Sequence, residues 1–267
     1  YIAAEKVYMK GDIAPAKASF TRYLLSYPNG AFSLNAHYYL CVIGKEQKDE
    51  EAVLEHAGKL LEYPDTPYSQ EALIARAELL FNRKHFDQAL TDYKQLKAKA
   101  TTTERRQLAA TGMLRSAAMM QDDVETIAAA TDMLAEAKLT PELRNEALYF
   151  RAKAYLNQQA DKKAMNDLQA LAKDTRTLYG AEAKYLVALQ LYKAHEYAAA
   201  EKEILNFIEQ STPHAYWLAR SFILLSDVYV AMDKKLDARQ YLLSLQQNYH
   251  ADDDIEQMIN ERLEKLK

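Results

Sequence analysis

The 267 residues include only six glycines and six prolines, and 49% of the side chains are hydrophobic, so the composition favours helices and supplies ample material for a core. The formal net charge of −4 is mixed in sign and lacks the basic footprint of a nucleic-acid-binding chain. The single cysteine, Cys41, excludes an internal disulfide, and no apolar run approaches the roughly 18 residues of a membrane-spanning helix.

Apolar residues recur with the period of an amphipathic helix along the whole chain, and no stretch has the alternation of a strand. Asp12 is a candidate helix cap, and Thr140-Pro141 and Thr212-Pro213 place a capping hydroxyl before a proline at a helix start. We therefore predict an all-α fold with helices near residues 2–10, 13–27, 33–45, 49–62, 69–83, 86–99, 103–120, 123–137, 141–157, 160–174, 178–194, 197–210, 214–232, 235–248 and 253–266.

The predicted helices repeat in pairs. In the second helix of each pair one position recurs at intervals of 36 to 38 residues, usually followed by larger apolar residues four and seven positions later. It is occupied by Ala16, Ala52, Ala89, Ile127, Ala164, Ala200 and Ala238. Twelve residues earlier the first helix carries its own mostly small seam residue: Ala4, Leu40, Ala77, Ala152, Ala188 and Ser226. The fourth pair fits worst, because Ile127 replaces alanine; the neighbouring alanines leave open a register shifted by one residue.

Each pair is one helix–turn–helix unit, and we predict units at 1–28, 29–64, 65–101, 102–139, 140–176, 177–212 and 213–250. A final helix at 253–266 is apolar on one side and charged on the other, which is typical of the capping element that a repeat array requires. The chain opens in a helical pattern without an initiator methionine. We therefore expect one continuous repeat domain that forms the C-terminal part of a longer repeat chain.

The third unit, SQEALIARAELLFNRKHFDQALTDYKQL, has Ala77, Phe86, Ala89 and Tyr93 at positions where tetratricopeptide repeats (TPRs) carry small or aromatic residues. The sixth unit repeats this with small seam residues around Tyr197. The chain resembles the TPR family over nearly its whole length, although its period exceeds the usual 34 residues. The resemblance implies a right-handed α-solenoid of about seven repeats.

Two linkers, YPNGAFSLNAHYYL at 27–40 and YPDTPYSQEAL at 63–73, add a narrower likeness. Linkers with Tyr-Pro, a small residue and Ala-x-x-Ala-x-Tyr are typical of bacterial envelope proteins related to the Tol–Pal coordinator and the outer-membrane assembly lipoproteins, and Ala36 and Tyr39 lie in a similar frame. The resemblance implies a periplasmic or envelope-associated protein, with a lipid anchor upstream as one arrangement. The alternative is a cytoplasmic location.

Motifs for catalysis are not found in the sequence. The six histidines include no pair at helical i, i+4 spacing, the glycines form no phosphate loop, and there is no Gly-x-Ser-x-Gly elbow. Cys41 has no basic neighbour in sequence and is expected to be a buried structural thiol. We therefore expect no enzyme activity, no cofactor and no metal site.

In the TPR family the first helix of each unit lines a concave surface, and the resemblance implies candidate partner-binding positions on these helices. They are Glu78, Phe81, Asn82, Tyr149, Lys153, Asn157, Tyr185, Tyr192, Arg220 and Asp227. Tyrosines at such positions offer flat contact area and a hydroxyl, while the competing interpretation is that they only pack between helices. The family's clamp for a C-terminal carboxylate is not built, since the ninth positions of the units vary in type.

These features favour a non-catalytic scaffold that binds a protein or peptide partner on the concave face, without nucleic acid and without membrane insertion of this segment. The first alternative is the regulatory or sensory repeat region of a larger enzyme or signalling protein. A third hypothesis, a helical-toroid lyase or hydrolase, lacks a convergent set of acid, base or metal-binding residues.

Overall fold

The computed structural model describes residues 1–267 and contains fifteen α-helices and no strand. The helices are α1 (Ile2–Met9), α2 (Ile13–Ser26), α3 (Ser33–Gln47), α4 (Glu50–Leu61), α5 (Ser69–Asn82), α6 (Phe86–Lys99), α7 (Thr103–Met119), α8 (Asp123–Leu134), α9 (Pro141–Asn157), α10 (Asp161–Leu171), α11 (Leu178–Lys193), α12 (Tyr197–Glu209), α13 (Ala215–Ala231), α14 (Lys235–Asn248) and α15 (Ile255–Lys265). The predicted all-α fold is confirmed, and it is consistent with an α-solenoid. No helix has the length and apolar character needed to cross a membrane.

The helices fall into two compact units, residues 1–125 and 126–267. Within each unit a helix with an odd number and the helix that follows form a hairpin, which we call a repeat. The hairpins are α1–α2, α3–α4 and α5–α6 in the first unit, and α9–α10, α11–α12 and α13–α14 in the second. We call α1, α3, α5, α7, α9, α11, α13 and α15 the first helices.

In two hairpins of the first unit, the small residues predicted at the contact between the two helices are part of the core. Ala16 and Ala89 are fully buried between their helices, and Phe20 is buried one turn after Ala16. In the α3–α4 hairpin the predicted register is wrong by one residue. Ala52 is partly exposed, while Val53 is buried against Cys41 of α3. The branched valine fits there because Cys41, rather than Leu40, supplies the small side chain of the seam.

The second unit keeps the predicted seam at α10, α12 and α14, where Ala164, Ala200 and Ala238 have no exposed surface. At α8 the shifted register is the one observed. Thr126 takes the place of Ile127 and is 3% exposed, and buried residues follow it four and seven positions later. The helix α15 covers the end of this core, burying Ile255 and Ile259 against α13 and α14.

The same turn follows seven of the first helices, α1 to α13. In each turn a single residue has a positive φ of 56–86°, and the next amide donates to the carbonyl five residues earlier at 2.8–3.2 Å. This is the Schellman arrangement, which satisfies the last carbonyls of a helix. The residues in the left-handed conformation are Gly11, Lys48, Lys84, Gln121, Gln159, His195 and Asp233.

Helix starts follow the cap predictions in part. Thr140 accepts from Leu143 N at 3.3 Å, and Pro141 begins α9 as predicted. The Asp12 side chain makes no capping hydrogen bond. Thr212 and Pro213 lie in the turn before α13, where the threonine hydroxyl donates to Thr175 O at 2.8 Å. In that position the hydroxyl ties the turn to the preceding repeat instead of capping a helix.

Candidate interaction surface

Polar side chains join neighbouring first helices across the face on which the candidate residues were predicted. In the first unit, Tyr39 donates to Glu5 at 3.0 Å, and Asn35 donates to Tyr68 at 2.6 Å. Further along, Lys45 pairs with Glu78 at 3.4 Å, and Arg105 pairs with Glu71. The partners in all four cases are 33 or 34 residues apart, so each bond links one repeat to the next.

In the second unit the first helices α9 and α11 are joined by a three-residue cluster. The Tyr149 hydroxyl and the Lys153 ammonium both contact the Glu182 carboxylate at 3.0 Å. Burial, followed by the Glu182 charge, raises the pKa of Tyr149, so its hydroxyl remains a donor. Because Glu182 is 7% exposed and takes both donors, Tyr149 and Lys153 serve first as contacts between repeats.

Tyr185 and Arg220 are also brought together, on α11 and α13. Arg220 donates to the Tyr185 hydroxyl at 2.9 Å, and its guanidinium lies 5.1 Å from the centre of that ring. A second bond to Tyr216 at 3.0 Å fixes the guanidinium further. Tyr185 is only 6% exposed, so its ring is packed within the protein rather than presented to solvent.

Tyr192 and Asp227 line a cavity of about 570 Å³ between α11, α13, α14 and α15. Arg262 of α15 grips Asp227 through two hydrogen bonds of 2.8 Å each. The rest of the wall includes Ser226, Val230, Lys235, Glu261, Lys265 and Leu266. Sequence reasoning missed Arg262 and Lys265 because α15 was treated only as a cap, and it missed Lys235 because α14 is the second helix of its hairpin.

Four polar groups of this cavity have unused hydrogen-bond donors. Lys235 and Lys265 are exposed and have no partner in the protein. The Tyr192 hydroxyl makes no internal hydrogen bond, and burial, followed by the Asp227 charge, raises its pKa. Ser226 is 1% exposed and its hydroxyl has no partner. Both carboxylates of the wall already accept from a side chain, Asp227 from Arg262 and Glu261 from Gln257 at 2.9 Å.

The other candidates lie apart from this cavity. Glu78 and Phe81 are half-buried on α5, where Phe81 packs against Phe86 with ring centroids 5.2 Å apart. Asn82 and Asn157 are exposed at the ends of α5 and α9. None of these four lines the cavity with Tyr192.

Two buried Arg–Asp pairs were also missed. Arg76 binds Asp92 through two bonds of 2.8 Å, and Arg151 binds Asp167 at 2.8 and 2.7 Å. Both pairs span 16 residues, with the arginine one before the first-helix alanine and the aspartate three after the second-helix alanine. That identical placement was a usable signal, and it identifies the pairs as contacts within a hairpin.

Sequence spacing also concealed a histidine pair. His37 of α3 and His56 of α4 are 19 residues apart, yet their Nδ1 atoms are 2.9 Å apart. No group of three or more His, Cys, Asp or Glu side chains is arranged to hold a metal ion. Cys41 is buried as expected, and burial raises its pKa to about 11.

The fold is that of an all-helical repeat protein. The solved structure of Naa15/Naa10 bound to HypK-THB is similar to it with a TM-score of 0.57 and 17% identity, covering 98% of this chain and 38% of that chain. A tetratricopeptide repeat protein from Parabacteroides merdae ATCC 43184 is similar with a TM-score of 0.46 and 15% identity, covering 98% and 96%. No protein-family model matches the chain, and no curated protein sequence does. At these identities the similarity concerns the fold alone, and it rests on the Naa15/Naa10 structure, which has the higher TM-score.

Proposed function

We propose that this chain is a protein-interaction scaffold and that a segment of its partner binds in the cavity lined by Tyr192, Val230, Lys235 and Lys265. The observation that carries the proposal is the excess of unused donors there over unused acceptors. On α9 and α11, by contrast, Tyr149, Lys153 and Glu182 satisfy one another between repeats. The exposed ammonium groups can exchange water for a ligand's acceptors, and the buried Ser226 hydroxyl would gain a partner that it lacks in the free protein.

The chemistry of the cavity favours an acceptor-bearing partner segment. Two ammonium groups and a tyrosine hydroxyl suit carboxylates and backbone carbonyls, and charge-assisted bonds of this kind are the stronger ones. Val230, which is 41% exposed, and Leu266 supply an apolar contact beside them. We therefore infer an acidic segment that also carries an apolar side chain.

The setting of this activity is part of the proposal. The Tyr-Pro linkers support a role in bacterial envelope assembly or maintenance, with the protein in the periplasm or associated with the envelope. The similar Naa15/Naa10 fold is bound to HypK-THB, and we extend to this chain the idea of a protein partner.

The test is in-cell photocrosslinking with charge-reversal variants. A crosslinking amino acid at position 230 should capture a partner, whereas one at position 236, on the exposed surface of α14, should not. The double variant Lys235→Glu/Lys265→Glu should abolish the crosslink.

The matched control is Lys162→Glu/Lys202→Glu, which makes the same charge change on exposed lysines of α10 and α12 in the second unit. An equal crosslink at position 230 in both double variants, with helical content unchanged, would show that the cavity does not bind the partner.

A further inference from the structure

The imidazoles of His37 and His56 meet head-on across the second hairpin. Their Nδ1 atoms are 2.9 Å apart, and their ring centroids are 5.2 Å apart. The centroid distance exceeds the nitrogen distance by 2.3 Å, which is about the sum of the two centroid-to-nitrogen distances. Both nitrogens therefore lie on the line that joins the ring centres. The α3 and α4 helices are therefore joined at this point by one N–H···N hydrogen bond in which one Nδ1 donates and the other accepts.

This geometry fits a proton better than a metal. A metal ion at about 2.0–2.1 Å from both nitrogens would have to lie off the line between them, so both rings would have to turn toward it. No third histidine, cysteine or carboxylate completes a ligand set. A single proton, by contrast, already lies on the line in the neutral pair.

The pair tolerates one added proton and resists a second. The first can enter at the outer Nε2 of the donor ring and leave the N–H···N bond intact. The second must occupy the acceptor Nδ1, so two N–H groups on two cations would face each other within 2.9 Å. The bond then breaks, and the two helices lose this contact.

The charged groups around the two histidines largely cancel, so burial decides how the pair responds to acid. Lys17 of α2 pairs with Asp49 at 3.3 Å, and Lys59 of α4 pairs with Glu62 at 2.8 Å, so these four groups largely offset one another. Glu55 favours protonation of both rings, yet burial dominates and lowers the pKa of His37 to about 4. A cavity of about 590 Å³ beside the rings gives protons access from solvent.

We propose that the His37–His56 pair makes the α3–α4 hairpin an acid-sensitive element, whose local opening becomes more frequent as the pH falls into the mildly acidic range. The ordinary imidazole pKa applies to the open state, and the lowered one applies to the closed state. Protons therefore bind the open state more tightly, and stability is lost as pH falls from about 6.5 toward 4. Between pH 8 and pH 5 the opening equilibrium constant rises about 30-fold.

The experiment is hydrogen exchange of the full chain at pH 8 and pH 5, corrected for intrinsic exchange rates. Protection of the α3 and α4 amides should fall about 30-fold at pH 5 relative to α5 and α6. In His37→Gln/His56→Gln this difference should vanish, and in the control His250→Gln, on an exposed residue of the second unit, it should persist. Equal pH dependence in the double variant and the wild type would overturn the proposal.

A second measurement keeps the test valid where the double variant is poorly folded. NMR titration of the wild-type imidazoles should give one of this pair a pKa well below the ordinary value and show both rings changing together. Zn²⁺ addition at pH 7.5 should leave protection of α3 and α4 unchanged. Two ordinary pKa values near 6.5, or strong protection by Zn²⁺ through these rings, would contradict the proton-linked hairpin.

Discussion

Replacing Asp167 by alanine should destabilise the second unit far more than the loss of an ordinary salt bridge. The side chain is 6% exposed, and both its oxygens accept from Arg151. Removing one partner of a fully buried ion pair costs about 3–5 kcal/mol, because the other charge is left without compensation.

The surroundings of Arg151 reduce the expected cost of removing Asp167. The Arg151 side chain is 19% exposed, donates to Thr131 at 3.2 Å and lies 5.9 Å from the Tyr155 ring. These contacts remain when Asp167 is removed, so the positive charge of Arg151 stays partly compensated. We therefore expect a loss of about 2–3 kcal/mol in the free energy of unfolding, and a fall of about 5–10 °C in Tm.

The assay is urea unfolding followed by circular dichroism, with hydrogen exchange to show that the effect lies in the second unit. The double variant Arg151→Met/Asp167→Leu serves as the control, because replacing both charges with apolar side chains should restore stability to within about 1 kcal/mol. A loss below about 0.5 kcal/mol for Asp167→Ala would refute the reasoning, since that is the range of an exposed pair.

Three further predictions concern the first unit. A Cβ at Gly58 would meet nothing within 4 Å, so Gly58→Ala should raise the free energy of unfolding by about 0.5–1 kcal/mol. A Cβ at Gly112 would meet the Tyr93 ring at 2.5 Å, so Gly112→Ala should lower the free energy of unfolding by about 1–3 kcal/mol. Denaturant midpoints of the two variants check both, and equal midpoints would contradict the packing. The raised pKa of Cys41 predicts that iodoacetamide at pH 8 alkylates the native thiol about 100-fold more slowly than the thiol of the urea-unfolded chain. Comparable rates in the two states would show that the thiol is accessible.

The helices were predictable because periodicity is read within one element. Every predicted helix exists, and no end differs by more than three residues. Register was harder, since Ala52 and Val53 are adjacent and both apolar. Which of them enters the seam depends on Cys41 across the hairpin, which periodicity within α4 does not report.

The positions of the candidate residues on the first helices were predictable, but whether their side chains bind one another was not. Resemblance placed Tyr185 and Arg220 on neighbouring first helices, and the structure shows that they bind each other. Whether a long polar side chain reaches its neighbour or solvent depends on distances between helices, which a sequence does not give. Two chemical signals were nevertheless present: polar partners separated by about one repeat, and the Arg–Asp pairs repeated at a fixed spacing of 16 residues.

The uniform closure of the hairpins has a consequence for insertions and deletions. Six of the seven residues in the left-handed conformation are not glycine, so the turn is imposed by the two helices and its i to i−5 bond rather than by its residue type. One residue more or fewer inside such a turn would rotate the second helix by about 100° and remove its apolar face from the core. The connections between repeats carry no such fixed bond. Natural length changes should therefore collect between hairpins, which agrees with a repeat length that varies from 36 to 38 residues around turns of constant size.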